Sequence, residues 1–363
     1  MRVVQLIDSL TAGGAERMAV NYANELSNCV QFSGLVSTRL KGDLFNQVSK
    51  KVNYLCLNKK QTIDFKALFL FKKYLKENKV AIVHVHSTSF FFAFLIKFFL
   101  PKIKLVWHDH YGDSEFLNKR STFLLKTTML FYSGIIVVNQ KLKNWAENKL
   151  NFKNVIYLPN FPVNEIIVHQ NTILNGVNGK RIVCLANLRA QKNHYLLINV
   201  AQKLKESYSE WTFHLVGKDF HDDYSKSIKN LIISNDLSNN VFLYDSKQDI
   251  SNILSQSDIA ILTSNSEGLP LALLEYGLNK KSVVVTNVGE MPYIIKNNQN
   301  GFIVESNSNF DFYESVLKLI ENKDLRNKFG ISLYHLIIEN FSKESVLDQY
   351  INWINNTFKF NSK

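Results

Sequence analysis

Short apolar runs rich in Val and Ile recur along this chain, most of them followed by a segment whose apolar residues repeat at helical spacing. The first run, RVVQLI, precedes TAGGAERMAVNYANELSN, where Ala15, Met18, Ala19, Tyr22, Ala23 and Leu26 share one helix face. VAIVHVH, KLVWH, GIIVVN and NVIYLPN continue the series, with helix-period stretches at Phe65–Lys76 and Lys141–Lys149. Strand, helix and strand in steady succession specify a parallel sheet with helices on its faces. Around Phe161–Lys180 the pattern lapses into polar, Asn-rich sequence that reads as a linker, and RIVCLA then restarts the alternation. The expected architecture is therefore α/β: two Rossmann-like, doubly wound parallel-sheet domains, residues 1–165 and 166–345, facing a cleft. A helical tail over 346–363 is expected to pack back on the first domain. Ligands of such sheets sit beyond the carboxyl ends of the strands, so both domains are expected to turn their loops toward that cleft.

A length of 363 residues suits two domains, and 46% hydrophobic with 20% charged residues is a globular composition. The net charge of +12 is uneven. Residues 1–165 hold 23 Lys and Arg against 11 Asp and Glu, whereas residues 166–363 hold 20 of each. A basic first half favours an anionic partner, such as a phosphorylated substrate or an acidic membrane surface. Nucleic acid is disfavoured, because the charge is dispersed without a basic-and-aromatic recognition motif. Cys29, Cys56 and Cys184 are odd in number and far apart, which fits a reducing cytosol rather than a disulfide framework. The opening MRVVQLIDSL reads as a strand, not a signal peptide. The most apolar run, FFFAFLIKFFLP from Phe90 to Pro101, contains Lys97 and is shorter than the ~20 residues a bilayer span requires. It reads as a buried helix, with shallow membrane contact as the second reading.

The most informative stretch is SNSEGLPLALLEYG, Ser264–Gly277, which follows the strand IAILTS. Glu267, Gly268 and Leu269 form a strand-to-helix connection, and Pro270 suits the first helical turn. A helix start offers free N–H groups and a positive dipole end, which together attract phosphate. Glu275 lies about 7.5 Å further along the helix axis than Pro270. One acid beside the phosphates and another further along match an elongated ligand with hydroxyls at both ends, such as a nucleotide-sugar.

This stretch resembles the E-x7-E signature of retaining glycosyltransferases with two Rossmann-like domains, the GT-B architecture, and in particular the GT4 family. The following VVVTNVGEMPYII resembles that family's next strand and V-G-x-x-P loop, while GGAER, HVHS and LPN fall where the family has comparable segments. The resemblance implies that Glu275 accepts hydrogen bonds from the nucleotide ribose and that Glu267 contacts the transferred sugar. It implies that Gly268 and Leu269 help hold the diphosphate through backbone N–H groups, next to Pro270, and that Gly13 and Gly14 approach it from the first domain. The family's diphosphate-binding G-R-L-x-x-x-K segment reads ANLRAQKNH here. Lys192 matches its lysine; its arginine position is Asn187, and Arg189, two residues on along an extended strand, would supply the guanidinium. A histidine after the fourth strand of the first domain is assigned to the donor sugar, with His110 preferred and His108 in reserve.

The implied activity is transfer of a hexose-type sugar from a nucleoside-diphosphate sugar, a UDP-sugar being favoured, to an acceptor hydroxyl with retention and without a metal. A polyprenyl-diphosphate-linked glycan at the inner face of the cytoplasmic membrane, in capsule or O-antigen synthesis, fits the basic first half. Other readings stay open: a nucleotide-sugar epimerase or a phosphorylase of the same fold, and a metal-dependent hydrolase using the pairs His84/His86 and His108/His110. His84 and His86 also read as strand-end residues satisfied by backbone groups.

Overall fold

A computed structural model of the chain describes residues 1–11, 13–163 and 171–359. The chain divides into two compact units: Met1–Asn160 together with Glu344–Lys363, and Phe161–Lys343. The boundary expected at residue 165, like most of the polar start of the expected linker, lies outside the described residues.

The first unit is a seven-stranded sheet: β1 (Arg2–Ser9), β2 (Phe32–Leu40), β3 (Asn53–Cys56), β4 (Ile82–His86), β5 (Lys104–Asp109), β6 (Gly134–Val137) and β7 (Val155–Tyr157). Its order is β3-β2-β1-β4-β5-β6-β7, and every pairing is parallel. The order reverses between β1 and β4, which is the switch point where such sheets bind ligands. Side chains alternate between faces along a strand, and register carries that alternation across the sheet: Gln5 pairs with His84, and His86 with His108. Gln5 and the histidines therefore share one face, where Tyr22 of helix Gly14–Leu26 and Tyr350 of helix Lys343–Phe358 pack on them. Trp107 points to the other face and meets Phe90 at the start of helix Phe90–Ile96. Helices Phe65–Glu77 and Phe123–Met129 flank that helix. The Asp64 carboxylate caps the first of these, accepting from Ala67 N at 3.0 Å. Helix Phe90–Ile96 is buried along Phe92, Ala93 and Ile96.

Helix Lys343–Phe358 completes the first unit although it is last in sequence. Trp353 donates from Nε1 to Asn154 Oδ1 at 3.1 Å, and its ring lies against Gly134, where a Cβ would come within 2.5 Å of it. Gly134 thus admits the indole at the start of β6.

The second unit is a six-stranded parallel sheet: β8 (Arg181–Leu185), β9 (Thr212–Val216), β10 (Val241–Tyr244), β11 (Ile259–Leu262), β12 (Ser282–Thr286) and β13 (Phe302–Val304), in the order β10-β9-β8-β11-β12-β13. Its core joins Ile182, Phe213, Ile259 and Val284 to helices His194–Ser207 and Asn309–Glu321 through Leu197, Leu204, Phe312 and Val316. Residues 171–180, expected as linker, are part of this unit. Thr172 binds the Asp249 carboxylate through its N–H and its hydroxyl, at 2.9 and 2.8 Å, and Arg181 reaches back to the Asn175 carbonyl. Their polar side chains are used for tying, which composition alone does not distinguish from solvation.

Candidate functional site

In the second unit the strand order reverses between β8 and β11, and the loops leaving these two strands meet there. The loop after β8 carries Arg189 and Lys192; the loop after β11 carries Glu267 to Pro270. They are stitched together. Asn265 N donates to the Gln191 carbonyl at 2.8 Å, and the Thr263 hydroxyl donates to the Lys192 carbonyl at 2.9 Å. At the centre Lys192 Nζ lies 2.5 Å from Glu267 Oε1, which also accepts from the Ser264 hydroxyl at 2.6 Å. Glu267 is only 4% exposed, so the ammonium and the hydroxyl stand in for the water its carboxylate has lost.

Helix Leu271–Leu278 starts one residue later than the sequence suggests: Pro270 is its extended N-cap rather than part of its first turn, and no side chain caps it. A proline cannot continue the ladder backwards, so it fits either place. Gly289, with φ at +59°, presses on the turn from the loop after β12, where a Cβ would come within 2.4 Å of the Glu267 carbonyl oxygen. Glu290 N then donates to the Gly268 carbonyl at 3.0 Å. Glu275 is half-buried within the helix. Tyr276 beside it is fully buried and accepts from Leu185 N at 2.7 Å, binding the helix to the end of β8.

Asn187, at the family's arginine position, accepts from Lys218 N at 2.8 Å and so ties the loops after β8 and β9 together. Arg189 is exposed, with its guanidinium 4.7 Å from the Phe220 ring, against which Lys218 also lies at 5.3 Å. The ring therefore gathers one cation from the loop after β8 and one from the loop after β9; sequence reading passed over Lys218 and Phe220 because no motif marks them.

In the first unit Gly13 and Gly14 open helix Gly14–Leu26, whose start has no side-chain cap; the Glu16 carboxylate folds back over Gly13, within 2.2 Å of where a Cβ would sit. Asp8, near the end of β1, accepts from the hydroxyls of Thr38, Thr88 and Ser89 at 2.8, 2.5 and 3.0 Å. These bonds and the charge of Lys59 hold its pKa below the usual value against burial. Sequence reading passed over this cluster because its members lie on four separate segments.

The histidines form a buried ridge. His84 and His108 meet at 3.1 Å, and His86 and His110 at 3.0 Å. His84 Nε2 and both nitrogens of His86 thus meet side chains, not the backbone groups the sequence suggested, because their strands stand in register, and the buried His84 Nδ1 has no partner. Gln5 Oε1, 2.8 Å from His86 Nε2, can only accept, so His86 carries its proton there. His86 Nδ1 then accepts from His110 Nε2, and His110 is left with a free lone pair on Nδ1. His108 is fully buried whereas His110 is half-buried, so only His110 of the two has a surface to present. Burial drives all four pKa values down, that of His110 to about 3. The nitrogens of His84, His86 and His108 lie within 4.8 Å of one another. Their rings are nearly parallel, 22° between His84 and His86 and 16° between His84 and His108. His86 and His108 are tilted by 35°, and an N–H···N bond between His84 and His108 would occupy two of the nitrogens a metal ion would need. Asp109 makes a bidentate bond to Arg120 at 2.6 and 2.9 Å and is committed to it.

Residues 12–161 match the family model Glycosyltransferase Family 4, and residues 169–334 match Glycosyl transferases group 1. The chain belongs to glycosyltransferase family 4, with the GT-B fold. It is similar to the UDP-Gal:alpha-D-GlcNAc-diphosphoundecaprenol alpha-1,3-galactosyltransferase of Escherichia coli, 24% identical over 97% of each chain. It is 25% identical to the poly(ribitol-phosphate) alpha-N-acetylglucosaminyltransferase of Staphylococcus aureus, a match covering 68% of this chain and about half, 49%, of that relative. Among solved structures, HepE of Anabaena in complex with UDP-glucose superposes with a TM-score of 0.79 at 15% identity, over 98% of this chain and 100% of the other. This glycosyltransferase is accordingly an enzyme, and the paired loops of its second unit lie at the switch point of a GT-B domain.

Proposed function

We propose that this glycosyltransferase moves a hexose-type sugar from a nucleoside diphosphate, with uridine diphosphate favoured, to an acceptor hydroxyl with retained configuration. The observation that carries the proposal is the turn at Glu267–Pro270, held by Lys192 at the switch point of the second sheet. In this scheme the ribose hydroxyls donate to Glu275, the diphosphate takes N–H groups of Gly268 and Leu269 with the charges of Lys192 and Arg189, and the sugar lies against Glu267. Gly13 and Gly14 approach the phosphates once Glu16 swings aside, and His110 Nδ1 accepts from a sugar hydroxyl. The anomeric carbon–oxygen bond to the diphosphate breaks as a bond to the acceptor oxygen forms on the same face. The acceptor proton passes to the departing phosphate oxygen, and positive groups already in place stabilise the charge that develops there. These groups supply the charge without a metal, so chelators are expected to leave the rate unchanged; a rate lost on chelation would favour the hydrolase reading of the histidine ridge.

The acceptor is proposed to be a polyprenyl-diphosphate-linked glycan in envelope polysaccharide synthesis, met at the inner face of the cytoplasmic membrane. The name of the E. coli relative includes such an acceptor, and the basic first half favours an anionic surface. Among the described residues no helix is long and apolar enough to cross a membrane, so contact would be peripheral. Thermal-shift titration with nucleoside diphosphates and their sugars tests donor binding: a donor should raise the melting temperature of the wild type far more than that of Glu275→Ala. Equal protection of both would remove Glu275 from the site. Release of free nucleoside diphosphate only when acceptor is present would separate transfer from epimerisation or phosphorolysis.

A further inference from the structure

Helices Phe65–Glu77, Phe90–Ile96 and Phe123–Met129 lie side by side on the face of the first sheet opposite the histidine ridge. Their inner sides are buried, but their outer sides carry large apolar residues into solvent. Phe98 is 67% exposed, Phe123 80% and Leu130 82%, with Phe69, Leu124 and Phe131 also exposed. Aromatic rings pack in two groups along it: Phe94 lies 5.3 Å from Phe98 and 4.9 Å from Phe131, and Phe69 lies 5.4 Å from Phe99. Lys97, the charge inside the apolar run, folds onto the carbonyls of Pro101 and Ile103 at 3.1 and 2.7 Å, which leaves Phe98 at the tip of its turn. Phe98 also lies 6.2 Å from Phe131, and the two line an open groove of about 350 Å³ with Leu130.

Lysine dominates the charges on this face. Residues 65–77, 90–104 and 123–131 contain eight lysines and one acid, Glu77, which sits 3.8 Å from Lys73. A second copy of the chain would bring lysines against lysines, which disfavours self-association. Exposed aromatic and aliphatic residues ringed by lysine match the boundary between anionic headgroups and acyl chains.

We propose that this three-helix face docks on an anionic bilayer, with Phe98, Phe123 and Leu130 entering the acyl-chain boundary and the surrounding lysines meeting lipid phosphates. The proposal deepens the reading of a membrane-borne acceptor and rests on it for purpose. It adds insertion to electrostatic attraction. Charge alone would be screened by salt, whereas the apolar contacts persist.

Flotation of the full chain with phosphatidylcholine vesicles, with and without phosphatidylglycerol, tests it. Wild type should float with the anionic vesicles and keep part of that binding in high salt. The triple variant Phe98→Ser, Phe123→Ser, Leu130→Ser should lose about tenfold in partitioning and all salt-resistant binding. Lys72→Glu with Lys102→Glu and Lys126→Glu should lose the preference for phosphatidylglycerol. Unchanged binding by either variant, or wild type that never floats, overturns the proposal, as does light scattering in which the serine variant converts a dimer to a monomer. Nucleotide-induced thermal shift on the same samples separates the outcomes. A chain that binds UDP but not vesicles refutes the docking face alone, and one that floats without UDP protection refutes the transferase assignment. Equal UDP protection of wild type and variants shows that the variants are folded.

Discussion

Glu267 and Lys192 show how one buried contact can join two loops. A carboxylate at 4% exposure is costly unless paired, and Lys192 and the Ser264 hydroxyl share its Oε1. The pair was legible as two motif residues, but its short contact was not, because 75 positions separate them. The histidines carry a sharper consequence. All four are held neutral by burial, while in the unfolded chain they titrate near their ordinary value of about 6.5. Below that pH the unfolded state binds more protons than the folded one, so stability rises with pH; it is complete above about pH 7 and falls as pH drops through 6.5. Each histidine contributes a loss of about 1.4 kcal/mol per pH unit in that range. The melting temperature of the first unit should therefore fall steeply between pH 6.5 and pH 5, followed by circular dichroism. A flat profile across that window would mean that the folded ridge takes up protons.

At the scale of elements, the strand–helix alternation showed most of β1 to β13, because buried parallel strands read as continuous apolar runs. Two strands were passed over: the short β3, NYLC, and β2, FSGLVSTRL, which Ser33, Ser37 and Thr38 interrupt. Their hydroxyls find partners inside: Ser33 with the Ala23 carbonyl, Ser37 with Tyr54 and Thr38 with Asp8. A polar residue in a strand is expensive only when unsatisfied. The turn at Gly289 offers a test at the same scale. Gly289→Ala combines a left-handed backbone with a Cβ 2.4 Å from the Glu267 carbonyl. It should cost about 2 kcal/mol in urea unfolding and abolish thermal protection by UDP. Retained protection would show that the loop after β12 does not position the Glu267 turn.

Over the whole molecule, the chain leaves its first unit after Asn160 and re-enters it at Glu344. Tyr350, fully buried on that returning helix, stacks on His84 and meets Tyr22 at 5.2 Å. Its replacement by Ala should destabilise the first unit by about 3 kcal/mol and open the histidine ridge to water. The expected signature is an earlier unfolding transition for the first unit, with UDP protection of the second retained. An unchanged first transition would show that the last helix contributes little to that fold.

Periodicity, a break in composition and a strand run followed by a proline-led helix were enough to specify two wound α/β domains, a helical tail and the strand-to-helix turn at Glu267, because each is encoded within a few neighbouring residues. The alignment of Gln5 with His86 and His110, the union of Lys192 with Glu267, and the gathering of lysines and aromatic rings on one helical face were decided by tertiary structure. Strand register and helix packing bring together residues that lie far apart in the chain, and no local pattern carries that distance.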